Sequence, residues 1–290
     1  MFDNIFAAIE KWMRELLTGM VESNMSTMFT DVNEKTSEIA AQVGRTPQNW
    51  NSSVFSMIQN LSESVVVPIA GIIITLVLCY ELISMLTERN NLHDVDTWMF
   101  FKYFVKAWVA IYLVSNTFTI TMAVFDVGQS VVNSASGIIN GETVIDVSSL
   151  SMQMQAAMAT MEIGELVVLA LETFLVSFCM KIMSVVITVI VYGRMIEIYL
   201  YTSLAPIPFA TMSNREWGHV GTNYFRGLFA LAFQAFLMMV CVAIYAALIS
   251  SVRISSNMHS ALIGVAAYTV ILCFSLMKTG SLSKQIFGSH

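Results

Sequence analysis

The sequence predicts an all-α, polytopic helical membrane protein, with five or six transmembrane helices behind an N-terminal amphipathic helical region. Three observations carry this. Of 290 residues, 56% are hydrophobic and only 12% charged, against about 25% charged in a soluble domain. Mean hydropathy is +0.70. The apolar residues stand in continuous runs, whereas the strands of a membrane barrel alternate apolar with polar.

The chain divides into four regions. Residues 1–63 form the N-terminal, extracytoplasmic helical region. Ile5, Phe6, Ile9, Trp12, Leu16 and Met20 recur at helical spacing, with Asp3, Glu10, Lys11, Arg14 and Glu15 on the other face. Such a helix lies in a membrane interface or packs on a partner. A weaker pattern continues through Met25, Met28, Phe29, Val32, Ile39 and Val43. Gly44 then ends the helix, and Pro47 suits the first turn of the next, which runs on into the first span.

Residues 64–124 make a two-span hairpin. The first span covers 64–86 and the second 98–124, joined by a polar loop with Arg89. Glu81 and Lys106 fall at similar depth in this hairpin, so they are expected to pair. An isolated charge in lipid costs at least about 2.5 kcal/mol.

Residues 125–163 contain no Lys or Arg. Asp126, Glu142, Asp146 and Glu162 are the only charges there. Cytoplasmic loops carry excess Lys and Arg, so this loop is predicted to be extracytoplasmic. Met152, Met154, Met158 and Met161 close the loop. With no His or Cys beside them, they read as adaptable packing rather than a metal site.

Residues 164–290 form the C-terminal membrane region, built on a long broken central helix. The stretch 164–210 carries only five charges: Glu165, Glu172, Lys181, Arg194 and Glu197. One crossing needs about 20 apolar residues, so 164–210 is too long for one perpendicular helix and barely long enough for two. Pro206 and Pro208 mark a break, because proline removes backbone donors that lipid cannot replace. The reading is a long tilted helix over 164–192, then a bent segment over 195–210; a helical hairpin is the alternative. A polar segment over 212–226 follows, with Arg215 and Arg226. Two further spans cover 227–250, with Gln234, and 261–277.

If 125–163 lies outside, the N-terminus is outside too. A single crossing by the central stretch then puts Arg226, Lys278 and Lys284 inside. Two crossings would put them outside. The positive-inside preference therefore favours five crossings over six, with a cytoplasmic C-terminus.

Composition also limits function. The net charge of −6 is not that of a domain gripping nucleic acid through its phosphates. It leaves open a neutral conduit that nucleic acid or protein crosses. Cys79, Cys179, Cys241 and Cys273 each stand alone in an apolar run, as buried free thiols would. No HExxH, GxSxG or phosphate-cradling Gly-rich loop occurs, so no enzyme, catalytic residue, metal or cofactor is expected. Gly128-Gln-Ser130 with His259 is a three-residue likeness to an intramembrane serine protease and carries no weight.

The candidate functional groups are intramembrane polar residues. Glu172 and Lys181 are nine apart and face opposite sides of one helix, so each must look to another helix, another subunit or water. Arg194 and Glu197, three apart, are able to pair locally. Gln234 is a further candidate, either lining a lumen or lying between subunits.

These features resemble the TrbL-type polytopic inner-membrane channel subunits of type IV secretion and conjugative transfer systems. The likeness covers most of the chain. It runs through the N-terminal region, the two spans and the external loop to Arg194-Met-Ile-Glu197 and Leu204-Ala-Pro-Ile-Pro-Phe-Ala210. The turn around Trp217 and Gly227-Leu-Phe-Ala-Leu-Ala-Phe-Gln234 complete it.

The resemblance implies a cyclic homo-oligomer in the bacterial cytoplasmic membrane, at the base of an external stalk. It implies partners among other machine subunits, including an ATPase and stalk components. The lipid bilayer surrounds the ring, and transferred DNA or protein passes it transiently. The large apolar faces of the N-terminal amphipathic helix and the Met-rich lead-in agree, since a closed head-to-tail ring covers them. The competing reading is an autonomous membrane transporter or ion channel. Such transporters often show paired broken helices in internal repeats, and only one broken region is found here.

Overall fold

The computed structural model describes residues 2–87, 97–139, 147–214, 216–252 and 258–289. Arg89, Glu142, Asp146 and Arg215, used above to orient the chain, lie outside the described residues. Every regular element among the described residues is helical. Five helices among them are long and apolar enough to cross a membrane: Ser52–Thr87, Thr97–Ser115, Ile163–Ser203, Gly218–Ser250 and Met258–Phe287.

The chain opens with α1 (Phe2–Val43). Thr46 caps α2 (Pro47–Trp50), its side chain accepting from the Asn49 amide at 3.3 Å. Pro47 follows in the first turn, where its missing N–H costs nothing. The expected continuous helix into the first span is interrupted at Asn51, whose backbone is extended. Its side chain caps α3 (Ser52–Leu61) by accepting from the Val54 amide at 3.1 Å. An Asx cap restarts a helix that local propensity would have carried through.

A π turn over Ser62–Val66 joins α3 to α4 (Val67–Thr87). Pro68 explains it: the ring crowds the carbonyl four residues back, and the helix widens to make room. Next come α5 (Thr97–Ser115) and α6 (Thr117–Ile139). The first part of the stretch read as an external loop is thus helical as far as Ile139, and α7 (Val147–Met158) adds more. Ser, Asn and Gly lower helix propensity there, but tertiary packing overrides so weak a preference.

The central helix also differs from the expected one. α8 (Ile163–Ser203) passes Tyr192 and Arg194 without a break. The interruption falls at residues 204–205, before α9 (Pro206–Thr211). Gly193 weakens a helix without ending it, whereas Pro206 has no N–H to bond back to residue 202. Then follow α10 (Gly218–Ser250) and α11 (Met258–Phe287).

The described chain falls into two compact units that do not follow chain order. The first comprises Met1–Val43, Ser134–Val191 and Met238–Lys278. Its core takes Met25 and Met28 from α1, Met154 and Met158 from α7, Leu166 from α8 and Val265 from α11. The side chains of α1 meet α8 and the residues just before it in ascending order. Arg14 donates to the Met161 carbonyl at 2.7 Å, Asn24 contacts Thr173, and Lys35 donates to Thr188 at 3.1 Å. The two helices therefore run parallel.

The second unit comprises Gly44–Asn133, Tyr192–Leu237 and Thr279–His290. One core cluster joins Ala70 and Ile74 of α4, Ala110 and Val114 of α5, and Phe209 of α9. Another joins Phe125 of α6, Met195 and Ile198 of α8, and Leu228 and Leu231 of α10. Small residues let helices approach. A Cβ on Gly128 would stand 3.0 Å from the Ala232 carbonyl oxygen, and one on Gly221 would stand 2.5 Å from that of Pro208.

The free thiols divide differently from the reading as buried groups. Cys273 is buried, but Cys79 and Cys179 are exposed. In a membrane protein the outward face is apolar as well, so an apolar run does not say which way a thiol points.

Candidate functional site

In the second unit, α8, α10 and α11 enclose a set of polar side chains. Arg194 is only 7% exposed. Its Nη2 donates to the Leu231 carbonyl at 3.4 Å, and its Nε has no partner. The local pair with Glu197 that the spacing allows does not form. Glu197 instead accepts from Lys284 at 3.0 Å. A partner on another helix outcompetes a helical neighbour when packing brings its charged end into line. Arg194 is thus a buried guanidinium for which no counter-ion stands at contact distance among the described residues. Such a group is costly unless something repays its desolvation.

Gln234 is 6% exposed. Its Nε2 donates to Thr279 at 3.4 Å, and its Oε1 has no partner. A Cβ on Gly280 would come within 3.2 Å of that amide nitrogen, so glycine makes room for it. Ser283 donates to the Ala230 carbonyl at 2.6 Å. Both of these contacts tie α11 to α10. Arg194 and Gln234 therefore leave an unused donor and an unused acceptor in one interior. Neighbouring this set, Tyr201 stacks on Tyr224 with centroids 4.6 Å apart, and the Tyr224 hydroxyl donates to the Tyr201 carbonyl at 2.8 Å.

Glu81 of α4 and Lys106 of α5 form a salt bridge in the same unit. The Tyr103 hydroxyl donates to the Leu78 carbonyl at 2.9 Å, one turn from this pair. Removing Lys106 alone (Lys106→Met) leaves the carboxylate unpaired at membrane depth. We expect a loss of about 2.5 kcal/mol, read as a lower melting midpoint in detergent. The exchange Glu81→Lys with Lys106→Glu recovers most of it. Equal stability of single and double variants would show that the pair contributes nothing.

In the first unit, Glu172 pairs with the His259 imidazole on α11. Lys181 is exposed on α8, and no ion pair reaches it among the described residues. The two therefore point to different surroundings, as their spacing requires. A cavity of about 20 Å³ lies between α1, α8, α10 and α11, with Asp31, Lys35, Ser184, Tyr245 and Thr269 on its walls. That volume suits one water molecule. Tyr245 and Thr269 share a 2.8 Å hydrogen bond at its edge. Among the described residues, no three His, Cys, Asp or Glu side chains gather as a metal site.

Sequence reasoning missed His259 and Lys284 as partners. Each lies 87 residues from the carboxylate it meets. The usable signal was weak: a cation near one end of an apolar helix, with no local acid to answer it.

The sequence pattern of the TrbL/VirB6 plasmid conjugal transfer like proteins matches residues 32–206, more than half of the chain. The chain belongs to the TrbL/VirB6-like family. It is therefore a multi-pass membrane protein whose family implies a component of conjugal transfer. No curated protein and no solved structure matches it. The TrbL/VirB6 match begins inside α1 and ends at Pro206, the first residue of α9. Glu81, Lys106, Glu172, Lys181, Arg194 and Glu197 lie within it, while Pro208 and Gln234 lie beyond it.

Proposed function

We propose that this TrbL/VirB6-like protein is an integral inner-membrane subunit of a type IV secretion or conjugation machine. It assembles with copies of itself into a ring that forms part of the channel or stalk base for DNA or protein transfer. Its N-terminus is extracytoplasmic and its C-terminus cytoplasmic, following the five-crossing reading. An ATPase and stalk subunits elsewhere in the machine are its further partners.

The observation that carries the ring is the beginning of α1. Ile5, Phe6, Ile9, Trp12, Leu16 and Met20 are 46–68% exposed at helical spacing. Lys11, Arg14 and Glu15 lie on the same segment, so lipid alone is a poor cover for it. A neighbouring copy offers both apolar area and matching charge. Arg194 and Gln234, each buried with one polar atom left without a partner, are the candidate working residues, on the default that polar groups within the membrane have a role.

The test is purification in mild detergent followed by mass measurement. A closed ring of several identical chains is expected, breaking into single chains on Trp12→Glu. A monomer that conducts ions or solutes in liposomes would instead establish the autonomous transporter. Reporter fusions at the two ends check orientation: a fluorescent cytoplasmic reporter is expected to work at residue 290 and fail at residue 1.

A further inference from the structure

Glu197 stands between two cations. On α11, Lys284 donates to it at 3.0 Å. Three residues back on α8, Arg194 is buried with its Nε unpartnered. Side chains three apart on a helix are about 5–6 Å apart at Cβ, so a rotation of the Glu197 side chain brings its carboxylate to the guanidinium. The other described carboxylates of the second unit are taken or exposed. Glu63, Glu81 and Glu216 accept from Gln59, Lys106 and Tyr80, and Asp126 lies exposed on α6.

The two arrangements are close in energy. In the Glu197–Lys284 pair the side chains are 43% and 45% exposed. A pair so exposed is screened, and giving it up costs little. Turning to Arg194 takes the carboxylate into the interior, which is unfavourable, and compensates a buried charge, which offsets that cost. A side chain poised between two such positions is a bistable element.

The bond to Lys284 is also separable from the rest of the α11 end. Ser283 donates to the Ala230 carbonyl, Thr279 accepts from Gln234, and the Phe287 ring stacks on Phe229 with centroids 6.2 Å apart. These contacts keep the end of α11 on α10 without Lys284. The helix therefore stays docked while the carboxylate moves.

We propose that Glu197 is a counter-ion shared by two cations, held by Lys284 in this structure and turning to Arg194 when Lys284 is removed or engaged elsewhere. In the first position the guanidinium is bare, and its Nε is free for an incoming anionic group. In the second it is neutralised and closed to one. Glu197 is thus a positioning residue that sets whether Arg194 acts. That consequence rests on the reading of Arg194 as a working residue; the movement itself does not.

Two measurements on the full chain in mild detergent test the movement. The first is a double-mutant cycle of melting midpoints. Lys284→Met is expected to shift the midpoint little, because Arg194 takes the carboxylate. Arg194→Met is expected not to lower it, because Lys284 keeps the carboxylate. The chain carrying both changes leaves Glu197 without a cation, and should melt about 5 °C below the sum of the two single shifts. Adding Glu197→Gln should restore most of that loss. The second measurement is modification of Glu197 by dicyclohexylcarbodiimide, a lipid-soluble reagent for carboxyl groups that have lost their cation and taken up a proton. Read by mass spectrometry, Lys284→Met should be modified no more than the wild type, and the double variant more than either.

Additive midpoints overturn the proposal. So does a Lys284→Met chain modified as fully as the double variant, since its carboxylate has then stayed behind unpaired. If the double variant fails to accumulate, recovery by Glu197→Gln supports the shared carboxylate, and failure to recover overturns it. If the midpoints are coupled as expected but Arg194→Met supports full transfer, the movement stands and the working role of Arg194 falls.

Discussion

Arg194→Met is expected to raise the stability of the protein and abolish transfer. The guanidinium is 7% exposed, holds one long hydrogen bond to Leu231 and leaves Nε without a partner. Methionine matches its length and carries no charge to desolvate. Replacing poorly compensated buried charge by an apolar side chain of similar volume is neutral or stabilising by about 1–4 kcal/mol. Folding therefore does not explain why an arginine sits there. If it contacts cargo, or an ion that enters during transport, transfer in a complementation assay falls to the level of a strain lacking the gene. The two readouts move in opposite directions only when the charge is functional. Full transfer by Arg194→Met would reduce Arg194 to packing. A large loss of stability would show that its single hydrogen bond is worth more than its desolvation.

Gly221→Ala is expected to be the most damaging small substitution in the second unit. The added Cβ would stand 2.1 Å from the Met212 Cγ and 2.5 Å from the Pro208 carbonyl oxygen. Methionine can swing away, but the carbonyl belongs to α9. Moving it displaces Phe209 and Ala210 from the cluster they share with α4 and α5. Overpacking of this kind costs about 1–3 kcal/mol, and more when backbone must shift. The melting midpoint in detergent should fall clearly, with less protein accumulating in the membrane. Gly71→Ala is the control, because nothing lies within 4 Å of the Cβ it adds. It should be neutral or stabilising by up to about 1 kcal/mol through helix propensity. Equal behaviour of the two variants would mean that the close approach of α9 to α10 does not hold this unit together.

The family and the helical class were legible in the sequence because both rest on local or summed properties. Long apolar runs with few charges specify helices at membrane depth whatever their neighbours are. Gly44 and Pro47 announce the end of one helix and the start of the next within four residues. Glu81 and Lys106 meet because a short connection makes two spans antiparallel, so equal distance from the turn means equal depth. The bend was legible as a proline signal, but its position was not. α8 continues to Ser203 because neither Gly193 nor the charges around it break a helix that packing supports.

By itself, the sequence determined a polytopic helical chain of five or six crossings, a helix start at Pro47 and a proline break in the central stretch, though not its position. Tertiary structure alone decided that Glu197 meets Lys284, that Glu172 meets His259, and that Arg194 bonds to the Leu231 carbonyl rather than to Glu197. It also decided that α1 lies along α8. The physical reason is the range of the forces. A helix satisfies its backbone within four residues and so can be read along the chain. A side chain is satisfied by whichever helix packs against it, and that choice is made across the fold.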